Sequence, residues 1–220
     1  MVGYGSRWPL GHYLIVHKIR VIRKNRMNPW FRHTERLLLR PYEPADAAAF
    51  FAVLDQSRAR LRLSFPERLR AVSNLVTAET QLAKFAHDWR TGRFYVLGIW
   101  LRRTAAYLGD ICLMPQQDGQ AEIGYYLAAE AEGQGYAREA LAVVCEFGFG
   151  EIGAERLLIR CFADNVRAQG VAQALLFRQQ PPAPESDWSS WFRFGFWESQ
   201  PPRPAILHFV RQRPVGSNLR

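Results

Sequence analysis

The segment from Ala121 to Leu141, AEIGYYLAAEAEGQGYAREAL, constrains the fold more than any other stretch of the chain. Apolar and aromatic residues up to Ala128 have the composition of a strand. Gly133 and Gly135 then mark a turn, and a helical pattern begins near Gly135. A strand that enters a helix through glycines presents the first, unpartnered N–H groups of that helix where the backbone is bare. The macrodipole adds partial positive charge, so the segment reads as an anion site suited to a pyrophosphate. Two common phosphate loops do not fit it. A P-loop needs Lys and then Ser or Thr after its last glycine, where Tyr136 and Ala137 stand. A dinucleotide fingerprint needs Gly or Ala three residues after the second glycine, and Arg138 occupies that place.

The flanking sequence supplies the rest of a sheet. Arg36 to Tyr42 reads as a short strand closed by Pro41, and the stretch from Pro44 through Phe50, Phe51 and Leu54 as an amphipathic helix. Ser64-Phe65-Pro66 breaks the chain, and a second helix is predicted from about Asn74 to Arg90, ended by Gly92. Strands 94–100, 105–114 and 121–127 follow, joined by turns at Arg102-Arg103-Thr104 and Asp118-Gly119, as an antiparallel meander. Helix 135–149, strand 156–162 and helix 166–176 come next, a crossing that turns the sheet parallel at one step. Pro181 to Pro184 is a linker, and 191–197 and 205–210 are two closing strands. The aromatic run around Trp188 to Trp197 is read as a core or pocket wall rather than a base-stacking surface.

Composition excludes several classes. With 220 residues, 48% hydrophobic and 22% charged, the chain suits one globular domain and carries no apolar run long enough to span a bilayer. The run Tyr13 to Val16 is too short for a signal peptide. Cys112, Cys145 and Cys161 are odd in number and widely spaced, which fits reduced thiols, no metal site and a cytoplasmic location. The net charge of +9 belongs to the ends: residues 1–26 hold six basic residues and no acid, and four more lie from Arg203 onward. A weak RNA or ribosome contact through those ends is the expectation, with no membrane partner. Residues 1–33 are read as a basic extension, with Met27 as a candidate start, 34–211 as the domain and 212–220 as a tail.

From about Thr34 to Phe177 the chain resembles the GNAT superfamily of acyltransferases, and within it the ribosomal-protein N-terminal (serine/alanine) acetyltransferase branch. The residues carrying the resemblance are TERLLLRPYEPAD, AEIGYYL, the Gly133–Ala137 turn followed by Glu139-Ala140, and Asp164-Asn165. It implies a mixed α/β (α+β) fold: a twisted, mostly antiparallel sheet of about six to seven strands with a central splay, flanked by about four helices. It implies acetyl-coenzyme A as co-substrate and no metal. Tyr126, Leu127 and Ala128 would lie along the pantetheine arm. The amides of Gly133, Gln134, Gly135, Tyr136 and Ala137, with Arg138, would hold the pyrophosphate. Asn165 would bond the pantetheine, and Phe177 would close the last helix over the cofactor. Four positions differ from the usual family residues: Glu132 replaces Gln or Arg, Arg138 replaces Thr, Ala168 replaces Ser, and Leu176 replaces Gly. The charge of Arg138 is expected to offset Glu132.

The implied reaction passes an acetyl group from the thioester directly to a primary amine of a protein N-terminus or a small molecule. At neutral pH roughly 10% of an α-amine is uncharged against roughly 0.04% of a lysine, so an α-amine asks less of a base. Glu122, acting through a water, and Tyr126 are the catalytic candidates, although a regular strand sets them about 13 Å apart. A backbone N–H near Leu127 would meet the oxyanion. Glu185 and Asp187 are further carboxylates in the region beyond the last helix. The alternative is a non-catalytic coenzyme A-binding sensor or ribosome-associated protein. A monomer or a homodimer is expected.

Overall fold

Leucines alternate with a burial period of two at Leu37–Arg40, where Leu37 and Leu39 are fully buried and their neighbours only partly so. This strand belongs to a computed structural model that describes residues 30–181 and 205–214. The strands are Arg32–His33 (β1), Leu37–Arg40 (β2), Tyr95–Leu101 (β3), Tyr107–Pro115 (β4), Gln120–Leu127 (β5), Arg156–Phe162 (β6), Arg178–Gln179 (β7) and Ile206–Gln212 (β8). They form one sheet in the order β1-β2-β3-β4-β5-β6-β8-β7. Every neighbouring pair is antiparallel except β5 and β6, which the chain joins through a helix and which run parallel.

Helices cover both faces. Ala47–Gln56 (α1), Arg58–Leu61 (α2), Pro66–Ala71 (α3) and Leu75–Thr91 (α4) pack Phe50, Leu54, Leu61, Leu82 and Phe85 around Val96, Cys112 and Tyr126. Tyr136–Gly150 (α5) and Val166–Ala174 (α6) close the other face, where Leu141 and Val144 meet Ile111, Leu113, Ile123 and Leu157. The helix boundaries follow local chemistry. Asn74 accepts from the Thr77 N–H at 3.0 Å while Thr77 Oγ1 accepts from the Asn74 N–H at 3.0 Å, a reciprocal cap that starts α4. Gly92, at φ 73°, ends it in the left-handed region.

The central splay implied by the family resemblance is present. β5 and β6 stay in register from Gln120↔Arg156 to Ile123↔Ile159 and then part. Beyond that point β5 keeps β4 as neighbour and β6 keeps β8. The parting opens a wedge through the sheet directly before the Gly133–Gly135 turn.

Among the described residues, eight strands and six α-helices exceed the expected count because β1, β7, α2 and α3 are too short to impose a period on the sequence. The described residues before residue 34 also take part in the fold. Trp30 packs on Phe147 at a centroid distance of 4.8 Å, its Nε1 donates to Glu151 at 3.0 Å, and β1 pairs with β2. Met27, Glu185, Asp187, the expected strand 191–197 and most of the linker lie outside the described residues. Cys112, Cys145 and Cys161 are buried free thiols, and burial pushes the last two up to about 11. No helix among the described residues is long and apolar enough to cross a membrane.

Candidate active site

Gly133 and Gly135 adopt φ of 76° and 80°, the left-handed backbone that glycine tolerates best, and α5 starts at the next residue. A Cβ on Gly133 would meet nothing within 4 Å, so the loop faces open space. Among the described residues no amide from Gly133 to Arg138 donates to a protein group outside α5. The loop is held from behind. Arg36 donates from Nη1 to the Gln134 carbonyl at 2.9 Å and from Nε to Glu139 at 2.8 Å, and its guanidinium covers the Tyr136 ring at 4.7 Å. Glu139 also accepts from Thr34 Oγ1 and from the Arg36 N–H. Burial pushes the Glu139 carboxyl up, but the Thr34 and Arg36 hydrogen bonds outweigh it and hold the group below its usual range. Donors are thus presented forward on a braced turn, which is what a pyrophosphate requires.

The turn opens on a cleft of about 1560 Å³ that runs through the wedge between β5 and β6. That exceeds the roughly 300–1,000 Å³ that drug-sized ligands occupy, and suits a long carrier molecule. The Ala128 N–H donates to Leu108 at 2.7 Å, so antiparallel alternation turns the backbone of Leu127 and Tyr125 to the other edge of β5, toward the wedge. The Leu127 carbonyl is taken there by Arg60 Nη2 at 2.7 Å. Asn165 caps α6, its Oδ1 accepting from the Ala168 N–H at 3.0 Å, and its side-chain nitrogen has no partner among the described residues. Gly133 to Arg138, Asn165, Leu127, Tyr126 and Glu122 all line this one cleft. The residues fit an acyl-coenzyme A: free amides and arginines at the loop, an open strand edge beyond it.

Two expected cofactor residues lie elsewhere. Ala128 is buried with its N–H bound within the sheet, and the Phe177 ring sits in the core behind α6, only 3% exposed. The hydrogen bonds that end α6 place it there: the Phe177 N–H donates to Ala172 at 3.1 Å and the Leu176 N–H to Gln173 at 3.0 Å. The expected charge partnership of Glu132 with Arg138 is also corrected. Glu132 Oε1 pairs with Arg60 of α2 and Oε2 with Arg167 of α6, whereas Arg138 is exposed on the first turn of α5.

Glu122 and Tyr126 share a face of β5 but have different surroundings. The two Glu122 oxygens accept from Arg160 Nε and Nη2 at 2.8 Å each, and Gln116 Nε2 adds a bond at 2.9 Å. Tyr126 is only 4% exposed and leads into a buried polar cluster. Its hydroxyl lies 3.4 Å from that of Tyr107, which is 2.6 Å from Tyr42, and Tyr42 donates to Asp110 at 2.9 Å. Arg68 of α3 closes the cluster by an ion pair with Asp110. Burial and then the Asp110 charge push the Tyr126 phenol far up, so it remains protonated and keeps a proton to donate.

Sequence reasoning missed Arg60, Arg68, Asp110, Arg160, Arg167 and Tyr125. The Tyr125 hydroxyl is buried with no partner among the described residues, although the residue lines the cleft. An apolar strand composition conceals an orphaned phenol, and only the register of β5 against β6 brings Arg160 to Glu122.

Residues 36–178 match the model of the acetyltransferase (GNAT) domain. YoaA, an uncharacterized N-acetyltransferase of Bacillus subtilis (strain 168), is 27% identical over 149 residues, which are 67% of this chain and 82% of that protein. Among solved structures, the ribosomal-protein-S5-alanine acetyltransferase from Vibrio fischeri has a TM-score of 0.68 at 15% identity, covering 83% of this chain and 96% of that one. The RimL ribosomal L7/L12 alpha-N-protein acetyltransferase, solved in complex with coenzyme A, has a TM-score of 0.68 at 16% identity, covering 83% and 98%. At such identities the structural likeness speaks to the fold alone.

Proposed function

With residues 36–178 matching that domain, the chain belongs to the GNAT acetyltransferase family, and we propose that it moves an acetyl group from acetyl-coenzyme A directly to a primary amine. The observation that carries the proposal is the row of undonated amides from Gly133 to Arg138 at the head of a cleft that continues through the β5–β6 wedge. Acetyl-coenzyme A brings an acyl group already activated as a thioester. The loop amides bind its pyrophosphate, the Leu127 backbone and the Asn165 amide nitrogen meet its pantetheine, and the Leu127 N–H serves the carbonyl oxygen.

Glu122 is the group for relaying the amine's proton through a water. A carboxylate offers about four acceptor positions. Arg160 and Gln116 occupy three of them and fix its orientation, so one remains. Tyr126, a protonated phenol that lines the cleft, is the candidate donor for the departing thiolate, since α6 presents Ala168 rather than a hydroxyl. Two structural neighbours are named as acetyltransferases of ribosomal proteins, which favours a protein N-terminal α-amine over a small-molecule amine as acceptor. A cytoplasmic location accords with three reduced, buried thiols.

Thiol release from acetyl-coenzyme A, measured against peptides with free α-amines, peptides with only lysine amines, and polyamines, tests the reading. Turnover is expected, highest for a free α-amine. Coenzyme A binding without turnover on any acceptor would favour a non-catalytic sensor, and no binding would overturn both.

A further inference from the structure

Glu132 stands immediately before Gly133, at the entrance to the anion loop, and each of its oxygens is committed to a different guanidinium. Arg60 comes from α2, in the helical layer on one face of the sheet, and Arg167 from α6, in the layer on the other. Arg60 Nη2 further holds the Leu127 carbonyl at 2.7 Å and Ser57 Oγ at 3.1 Å, so its guanidinium is fixed at the cleft. Arg167 is largely exposed, at 76%. Both line the same cleft as the loop amides.

Two guanidiniums on one carboxylate leave a net positive charge, and a guanidinium donates to phosphate oxygens with the same fork geometry that it offers a carboxylate. A pyrophosphate at the Gly133–Gly135 amides would carry more charge than Glu132 and lie beside it. Glu132 therefore opposes that anion twice, by repelling it and by occupying its cations.

We propose that Arg60 and Arg167 are phosphate ligands of this site and that Glu132 is their built-in competitor, an internal anion that the carrier's phosphates displace on binding. The proposal rests on the reading of the loop as a coenzyme A site. Its consequence is a coupling. Passing Arg60 from Glu132 to the phosphates changes the hold on α2, the helix that leads into α3 and the Arg68 cluster, so loading of the carrier is communicated to the opposite wall of the cleft.

Calorimetric titration of the full chain with coenzyme A at low salt separates the possibilities. Glu132→Gln is expected to tighten binding about tenfold, and Arg60→Gln and Arg167→Gln each to weaken it about fivefold. The same Glu132→Gln protein should unfold at a lower temperature in the absence of coenzyme A, because it loses both ion pairs. Opposite signs in affinity and in stability are the signature of a competitor. Pantetheine, which has no phosphate, should bind parent and Glu132→Gln alike. The proposal is overturned if Glu132→Gln binds coenzyme A no more tightly than the parent, or if it changes pantetheine affinity to the same extent. A parent protein that binds no coenzyme A would instead overturn the coenzyme A reading of the loop itself.

Discussion

Arg160 grips Glu122 through two parallel bonds, its Nε and Nη2 each 2.8 Å from a different carboxylate oxygen. The grip spans the two strands where their pairing ends: Glu122 lies opposite Leu158, Ile123↔Ile159 is the last pair, and Arg160 reaches back to Glu122 from just beyond it. The ion pair therefore sits at the apex of the wedge. Replacing Glu122 by Gln keeps the shape, removes the proton acceptor and leaves Arg160 without a counter-charge. If Glu122 relays the proton, kcat falls by about a hundredfold while the KM for acetyl-coenzyme A is unchanged. Initial rates over both substrates check this, and a kcat within a factor of two of the parent would make the pair purely structural.

A second ion pair lies deeper. Asp110 has no exposed side-chain surface and Arg68 only 7%, and Tyr42 adds a donor to the carboxylate at 2.9 Å. Arg68→Met leaves the Asp110 carboxylate buried and uncompensated, which costs about 3–5 kcal/mol. Removing both charges, as Arg68→Met with Asp110→Leu, leaves no uncompensated buried charge and should cost clearly less than the single change. Urea denaturation of the parent, the single and the double variant measures the difference, and a double variant as unstable as the single would contradict it.

The sequence makes the elements with strong local signals legible. Asn74 and Gly92 bracket α4, Asp118-Gly119 turns β4 into β5, and β6 falls where the reading places it, at 156–162. The Gly133–Ala137 turn is legible for the same reason, since its glycines act on their own backbone. What is not legible is long-range pairing. Glu132 finds its partners 72 and 35 positions away, and nothing local distinguishes Arg60 or Arg167 from other arginines. Between Ser57 and Val72 two helices of four and six residues form where the sequence shows only the break at Ser64-Phe65-Pro66. They are too short for a period, and Arg58 secures them through the Leu69 and Val72 carbonyls.

Glu139 predicts how the loop responds to acid. Despite burial, hydrogen bonds from Thr34 and Arg36 lower its folded-state value below the unfolded one. The stability it contributes is therefore fully present above the unfolded carboxyl value, about 4.3. It is lost as pH falls from there through the lower folded value. Glu139→Gln should lower the thermal midpoint at pH 7, and the gap to the parent should close as the pH is taken below about 4. A gap that stays constant over that range would show that the carboxylate charge is not what braces the loop.

Tyr125 offers the reverse case, a substitution that should stabilise. Its hydroxyl is buried without a partner among the described residues, and burial followed by the nearby Cys161 pushes the phenol upward. Leaving such a group unsatisfied costs on the order of 1 kcal/mol or more, and Tyr125→Phe removes the cost without altering the ring. The thermal midpoint should rise by about 2–4 °C per kcal/mol for a chain of this size. A fall would mean that the hydroxyl has a partner the described residues do not supply.

Leu176 carries the same logic to the backbone. It ends α6 at φ 63°, in the left-handed region that a leucine enters at a cost of about 1–2 kcal/mol. The bonds on either side hold it there: Leu176 N–H to Gln173 and Phe177 N–H to Ala172, the same pattern by which α4 ends at Gly92. The leucine side chain recovers little of that cost, being 74% exposed. Leu176→Gly relieves the strain and pays back about 0.5–1 kcal/mol in unfolded-chain entropy, for a net gain of up to about 1 kcal/mol. Leu176→Ala is the control, because it removes the exposed leucine but keeps the Cβ that strains the backbone. Equilibrium unfolding should rank glycine above both alanine and leucine, with alanine close to the parent. If alanine stabilises as much as glycine, the exposed side chain rather than the left-handed backbone is the source of the penalty.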